Sequence, residues 1–349
     1  MGGFVRWDGQ TLDAPDGALP GLERTGLVKA GLIRTVRTPE FDGVTFHEVL
    51  CKSALNRVPD ESALPAKWTI NPARGCSHAC RYCFARPTHE YLDLDAGRDF
   101  DSQIVVKTNI VSVLRKELAR ASWKREPVAL GTNTDPYQRA EGRYELMPGI
   151  IRALTESGTS FSILTKGTLL RRDLPLLTLA ATKVNVQVSI SLAFHDEELQ
   201  KSLEPGAPSP RARLDLIRAV TDAGLPCHVL IAPVIPFLTD SPKHLDALMG
   251  ALQAAGATGV TALPMHLRSS TKEWFMSWLA ENHPALVRRY RVLYGRGAYV
   301  SPEYKAWLRG KVEPLREKHS LLGLDPMAVH AVQSTAPVES TPEPAMTLF

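Results

Sequence analysis

Alternation limits this fold more than any other feature of the sequence. Between residues 67 and 263, six short apolar runs with strand character trade places with five runs of helical period. The strand-like pieces are Lys67–Asn71, Val128–Gly131, Ser160–Thr165, Val184–Ser191, Cys227–Ala232 and Gly259–Leu263. The helix-period pieces run near Asn109 to Ala121, Pro148 to Ser157, Leu169 to Ala180, Arg211 to Ala223 and His244 to Ala255. A helix-length insert after each strand brings the chain back for parallel pairing, so the expected class is α/β, with ligands beyond the carboxyl ends of the strands. In the fourth run Val184, Val186, Val188 and Ile190 alternate with Asn185, Gln187, Ser189 and Ser191. If the apolar set faces the helices, the polar set lines an interior where only a ligand repays its burial. Ser189 and Ser191 are therefore candidate ligand contacts; an edge strand with one wet face is the competing reading.

Three of the five cysteines, Cys76, Cys80 and Cys83, fall within eight positions, just after the first of these runs. Soft thiolates suit iron–sulfur clusters. Three on one loop can hold three irons of a 4Fe-4S cluster and leave the fourth iron open to a ligand. A zinc site needs a fourth donor, for which His78 is awkwardly placed between two of the cysteines, and a disulfide leaves one cysteine over. Cys51 and Cys227 stand alone and read as small buried hydrophobes.

The C-x3-C-x2-C spacing with Tyr82 before the last cysteine resembles that of the radical S-adenosylmethionine (SAM) enzymes. Thr134-Asp-Pro-Tyr-Gln138, Lys166, Glu204-Pro and Ser209-Pro-x-x-Arg213-Leu are similar to the spore photoproduct lyase-like branch of that family. The resemblance spans about residues 66 to 265. It implies a partial (β/α)6 TIM-like barrel, a 4Fe-4S cluster on Cys76, Cys80 and Cys83, and S-adenosyl-L-methionine on the open iron. It also implies SAM contacts from Tyr82, Thr134, Asp135, Lys166 and Arg213, alongside Ser189 and Ser191; Arg213 has the alternative of tethering its loop to Glu204. The enzyme would take an electron from a donor such as flavodoxin or ferredoxin, cleave SAM to methionine and a 5′-deoxyadenosyl radical, and act as a lyase or oxidoreductase, with DNA as one implied substrate. One departure stands out: the lyase carries its hydrogen-donor cysteine where this chain has Asn133. The alternative is an iron–sulfur electron-transfer or sensor protein without SAM chemistry.

Around this core (66–270), the sequence reads as an N-terminal extension (1–65), a C-terminal helical region (271–328) and a disordered tail (329–349) rich in Pro, Ser, Thr, Ala and Glu. The 44% hydrophobic and 22% charged content is that of an ordinary globular protein, and the net charge of +4 permits an anionic partner without demanding one. Clustered cysteines argue for a reducing compartment. The N-terminus has no apolar signal core and no run is long enough to cross a bilayer, so the expectation is a cytoplasmic protein with no membrane partner.

Three further motifs carry expectations. His89 and Glu90 are read as touching substrate or cluster, or as pairing to steady their loop. Residues 287–299 interleave Arg288, Arg289, Arg291 and Arg296 with Tyr290, Tyr294 and Tyr299, a pattern suited to nucleic acid or to an amphipathic helix with its aromatic side packed. The last five residues, Ala345 to Phe349, resemble a bacterial sliding-clamp binding motif in Met346, Leu348 and Phe349, but not at Ala345.

Overall fold

The computed structural model describes residues 25–59 and 66–323. Its strands are β1 (Leu32–Val36), β2 (Thr45–Val49), β3 (Leu55–Arg57), β4 (Trp68–Ile70), β5 (Ala73–Arg74), β6 (Gln103–Lys107), β7 (Val128–Leu130), β8 (Phe161–Thr165), β9 (Val186–Ser191), β10 (Cys227–Val234) and β11 (Gly259–Pro264). They form a seven-stranded sheet, ordered β11-β10-β9-β8-β7-β4-β3, and a four-stranded sheet, ordered β1-β2-β6-β5.

The large sheet contains all six expected strands, paired in parallel in chain order, with β3 added antiparallel at one edge. Right-handed crossovers between successive neighbours put every connecting helix on the same face. That face is apolar: Ile70, Leu130, Ile163, Val188, Val229 and Val260 are each at most 1% exposed. Each such side chain contributes about 1.5 to 3 kcal/mol by leaving water. The intervening residues fall in register across the opposite face, with Thr69, Ala129, Ser162 and Gln187 in one row and Leu164, Ser189 and His228 in the next. This polar face is the interior of a partial (β/α)6 barrel. The alternation along β9 follows the expected pattern, with Gln187, Ser189 and Ser191 on the interior side.

Part of the N-terminal segment that sequence patterning leaves unplaced is structural. β2 pairs in parallel with β6, β6 pairs with β5, and β5 runs directly into the cysteine loop. The small sheet is thus a shelf beneath that loop. After β11 come the helices Ser269–Asn282, Val287–Tyr294 and Pro302–Lys318. The first packs on the 3-10 segment Arg86–Leu92 that follows the cysteines, and the last packs on the helix Pro242–Ala254. Among the described residues no helix is long and apolar enough to cross a membrane. The clamp-like pentad lies outside the described residues.

Candidate active site

The loop carrying Cys76, Cys80 and Cys83 leaves β5 and is fixed by its own backbone: Cys76 N–H donates to the Phe100 carbonyl, Ala79 N–H to Cys76 and Cys83 N–H to Cys80. Ala79 takes φ +55°, a left-handed turn that folds the loop back on itself. All five cysteines are free thiols. Burial comes first in raising the Cys80 and Cys83 thiols; the Glu204 charge comes next for Cys80 and the Cys76 sulfur for Cys83. Among the described residues no three His, Cys, Asp or Glu side chains converge as ligands of one metal ion. Thiolates of a cluster each hold a different iron, so they need not converge. His78, the donor a zinc site would require, turns its Nδ1 toward Asp135 Oδ2 at 3.3 Å.

One side of the loop is held from the end of β7. Thr134 Oγ1 donates to the Gly75 carbonyl at 2.7 Å, and Gln138 Nε2 donates to the same carbonyl at 3.0 Å, while Gln138 Oε1 accepts from Ser77 N–H. Asp135 accepts from Thr165 Oγ1, from the N–H groups of Tyr137 and Lys166, and from His78. Burial opposes its ionisation, but the His78 charge and these donors outweigh burial and hold the carboxyl at about 2. The strand ends meet so closely that Gly131, at φ +92°, has no room for a side chain: a Cβ would stand 2.0 Å from the Leu164 carbonyl oxygen.

The other side is held by Glu204, which is fully buried. It accepts from the Tyr82 hydroxyl and from Arg213 Nη2, with Lys166 Nζ 3.6 Å away. Burial again opposes ionisation, and Arg213, Lys166 and the Tyr82 bond together bring this carboxyl to about 2. Arg213, also fully buried, donates to the Pro208 and Ser191 carbonyls as well, so it tethers the Glu204 turn to the end of β9. Ser209 caps the helix Pro210–Asp222 that carries Arg213. The turn is pressed against the cysteines: Gly206 N–H donates to His78, Arg81 N–H to Leu203, and a Cβ on Gly206 would lie 1.9 Å from the Ser77 oxygen.

Lys166 and Ser191 meet between the two sides, Nζ to Oγ at 2.7 Å. Lys166 lies 6.0 Å from the Tyr82 ring centroid, and its pKa is raised: burial lowers it, but Glu204 and Cys80 more than compensate. Ser189 is 3% exposed on the interior face. All ten candidate residues therefore belong to one neighbourhood around the cysteine loop and the ends of β7, β8 and β9.

Arg86, which the sequence patterns do not single out, proves central. Fully buried, it donates through Nε and Nη2 to the Cys80 carbonyl, through Nη1 to Ala96 and Gly97, and through Nη2 to Asp101. Asp101 is nonetheless pushed up to about 6, because burial exceeds the help from Arg86. An arginine in a small-residue loop three positions past the last cysteine was the available signal. His89 and Glu90 are not a pair: His89 bonds the Gln103 carbonyl, and Glu90 accepts from Ser270. Tyr290 and Tyr294 are also corrected as nucleic-acid contacts. Both are at most 4% exposed, with hydroxyls on the Pro236 and Met265 carbonyls.

The radical SAM superfamily matches residues 70–248. An uncharacterized protein of Mycobacterium tuberculosis is 63% identical over 324 residues, covering 91% of this chain and 94% of that protein. One of Methanocaldococcus jannaschii is 27% identical over 175 residues, 50% of this chain and 63% of its own length. Among solved structures, a variant of spore photoproduct lyase superposes with TM-score 0.60 at 18% identity, covering 78% of this chain and 79% of that one. A second variant, with bound AdoMet and dinucleoside spore photoproduct, gives 0.58 at 16% identity, covering 74% and 76%. At such identity the lyase speaks for the fold alone. The match over the strand-loop core, together with the cysteine loop at the head of the sheet, identifies the chain as an enzyme that belongs to the radical SAM superfamily.

Proposed function

We propose that Cys76, Cys80 and Cys83 hold a 4Fe-4S cluster whose open iron receives SAM. Bound there, the cluster supplies one electron that breaks a carbon–sulfur bond of SAM and leaves methionine and a 5′-deoxyadenosyl radical. The observation that carries this reading is the loop itself: three free thiols and no competing disulfide, clamped on one side by Thr134, Gln138 and Asp135 and on the other by Glu204 and Gly206. The donor set fits, because thiolates are the ligands such clusters use.

In this reading Lys166 pairs with the SAM carboxylate, since Lys166 and Arg213 together outnumber the single charge of Glu204. Ser189 and Ser191 offer hydroxyls from the interior face. Asp135 fixes the loop through His78, Thr134 through the Gly75 carbonyl, and Tyr82 and Arg213 form the wall opposite. SAM is the small-molecule partner of this site, and a one-electron donor such as flavodoxin or ferredoxin would reduce a cluster held there. Asn133 stands where the lyase has its hydrogen donor, so the lyase's own repair reaction is not assigned. Delivery by a sliding clamp through Met346, Leu348 and Phe349 is a separate proposal, checked by polarisation of a labelled tail peptide; binding indifferent to Leu348→Ala and Phe349→Ala removes it.

Anaerobic reconstitution followed by iron and sulfide quantitation and a 5′-deoxyadenosine assay tests the central reading. About four irons per chain and deoxyadenosine that depends on reductant are expected. Full cleavage by Cys80→Ala refutes it, and a colourless, metal-bound protein favours zinc instead.

A further inference from the structure

The basic, tyrosine-rich stretch after residue 287 divides in two. Tyr290 and Tyr294 are core, but Tyr299 is 51% exposed, and it does not stand alone. Its ring stacks on His266 with centroids 5.7 Å apart and planes 27° apart, and His266 in turn faces Phe84 at 5.7 Å. Phe84 directly follows Cys83 and is 42% exposed. Three separate chain segments build this row: the cysteine loop, the exit from β11 and the turn before the helix Pro302–Lys318. They are tied together by Thr271 Oγ1 on the Cys83 carbonyl at 3.0 Å and Leu267 N–H on the Ala298 carbonyl at 2.7 Å.

Cations flank the outer end of the row. Arg268 donates to the Tyr299 hydroxyl at 2.7 Å and lies 5.9 Å from its ring centroid, and Lys305 Nζ lies 5.3 Å from the same ring. Both are exposed. The pKa of His266 is lowered, by burial first and by Arg268 second, so near neutral pH its ring is an uncharged aromatic surface. Aromatic rings left half in water cost free energy unless something covers them. Here separate flat rings are edged by positive charge. Alternating π-faces and cations suit planar bases joined by phosphates.

We propose that Phe84, His266 and Tyr299, with Arg268 and Lys305, form a stacking platform for an unpaired polynucleotide strand, which delivers a base to the reaction centre beside Cys83. The bases stack on the rings, and the phosphates run past Arg268 and Lys305. The location of the reaction centre rests on the cluster reading above; the binding platform does not. Free nucleotides share the chemistry of the strand, so the test must separate the two.

The full-length chain is titrated against fluorescently labelled 12-nucleotide single-stranded DNA, single-stranded RNA and duplex DNA by anisotropy at rising salt, with unlabelled mononucleotides as competitors. Single strands are expected to bind more tightly than duplex, with affinity falling steeply as salt rises. Tyr299→Ala should weaken single-strand binding by at least about fivefold and Tyr299→Phe should restore most of it, as loss of one stacked base predicts. Lys305→Ala should reduce the salt dependence rather than abolish binding. Competition by mononucleotides at equal concentration would reassign the platform to a free nucleotide. No binding to any oligonucleotide at low salt, or equal binding by Tyr299→Ala, overturns the proposal. Cluster content and SAM cleavage of the unaltered chain are measured in parallel. A chain that cleaves SAM but binds no strand overturns the platform alone, and one that binds strands but never cleaves SAM overturns the cluster reading alone.

Discussion

Asp135 and Glu204 hold the cysteine loop from opposite sides, and both carboxyls sit at about 2, yet they are stabilised by different means. Asp135 is surrounded by a hydroxyl, two backbone N–H groups and one histidine. Glu204 is surrounded by two full cations, a phenol and Gln200. One charged histidine against one carboxylate leaves no net charge behind. Two cations against one carboxylate leave an excess of one positive charge, and it faces the place where Lys166 meets Ser191. One anchor is thus purely mechanical, whereas the other also gives the pocket its electrostatic sign.

The largest blow to this arrangement removes what both anchors hold: Cys80→Ala is expected to lose the cluster and all reductive SAM cleavage, measured by iron content and deoxyadenosine. Next, Glu204→Gln leaves Arg213 and Lys166 buried without their counter-charge, and denaturant titration should show a loss of about 3 to 5 kcal/mol. Asp135→Asn keeps one acceptor, and the cation it strands, His78, can release its proton where Arg213 cannot, so its loss should be smaller, about 1.5 to 3 kcal/mol. Equal losses would erase the distinction between the anchors.

Acid gives an independent check. Both folded pKa values lie below the usual carboxylate range, so each group's contribution is complete above about pH 5 and drains away as pH falls toward 2. Asp101, raised to about 6, has the opposite sign, but it is common to wild type and variants. The stability gap between wild type and Glu204→Gln should therefore stay constant from pH 7 to about 5 and narrow below 4; a gap that widens in acid contradicts the assignment. Lys166→Met should weaken SAM binding about tenfold or more with iron content preserved, because Arg213 still neutralises Glu204. The smallest effect belongs to Cys51→Ala, which should leave iron content unchanged.

The parallel core was legible because its information is local. Val186, Val188 and Ile190 against Gln187, Ser189 and Ser191 state the two faces of β9 within six residues. The shelf was not legible, because Thr45–Val49 finds Gln103–Lys107 some sixty positions away, and neither run declares its partner. The ten candidate residues were named from motifs and from the alternation along β9, but the contacts among them were not. The tie from Arg213 to Glu204 was one of the two readings of that arginine, but nothing in Glu204-Pro says that its carboxylate also reaches Tyr82, since that contact depends on how closely Gly206 lets two loops approach. Tyr290 and Tyr294 follow the packed-helix reading of their stretch: four apart on a helix, they share one face, and that face is inward.

The edges of the large sheet have a consequence for inheritance. Residues that grip the cysteine loop come from the ends of β7, β8 and β9 and from the turn at Glu204, whereas His266, Tyr299, Arg268 and Lys305, which extend the row begun by Phe84, arrive from beyond β11, joined to the loop at Thr271. Mutation can therefore rewrite the exposed positions of the late segment, Tyr299 and Lys305 among them, without disturbing the cysteine loop, whereas Thr271 and Trp274, which touch that loop, are held in place by it. Sequence drift among relatives should accordingly be fastest past residue 265 and slowest between Gly75 and Arg86.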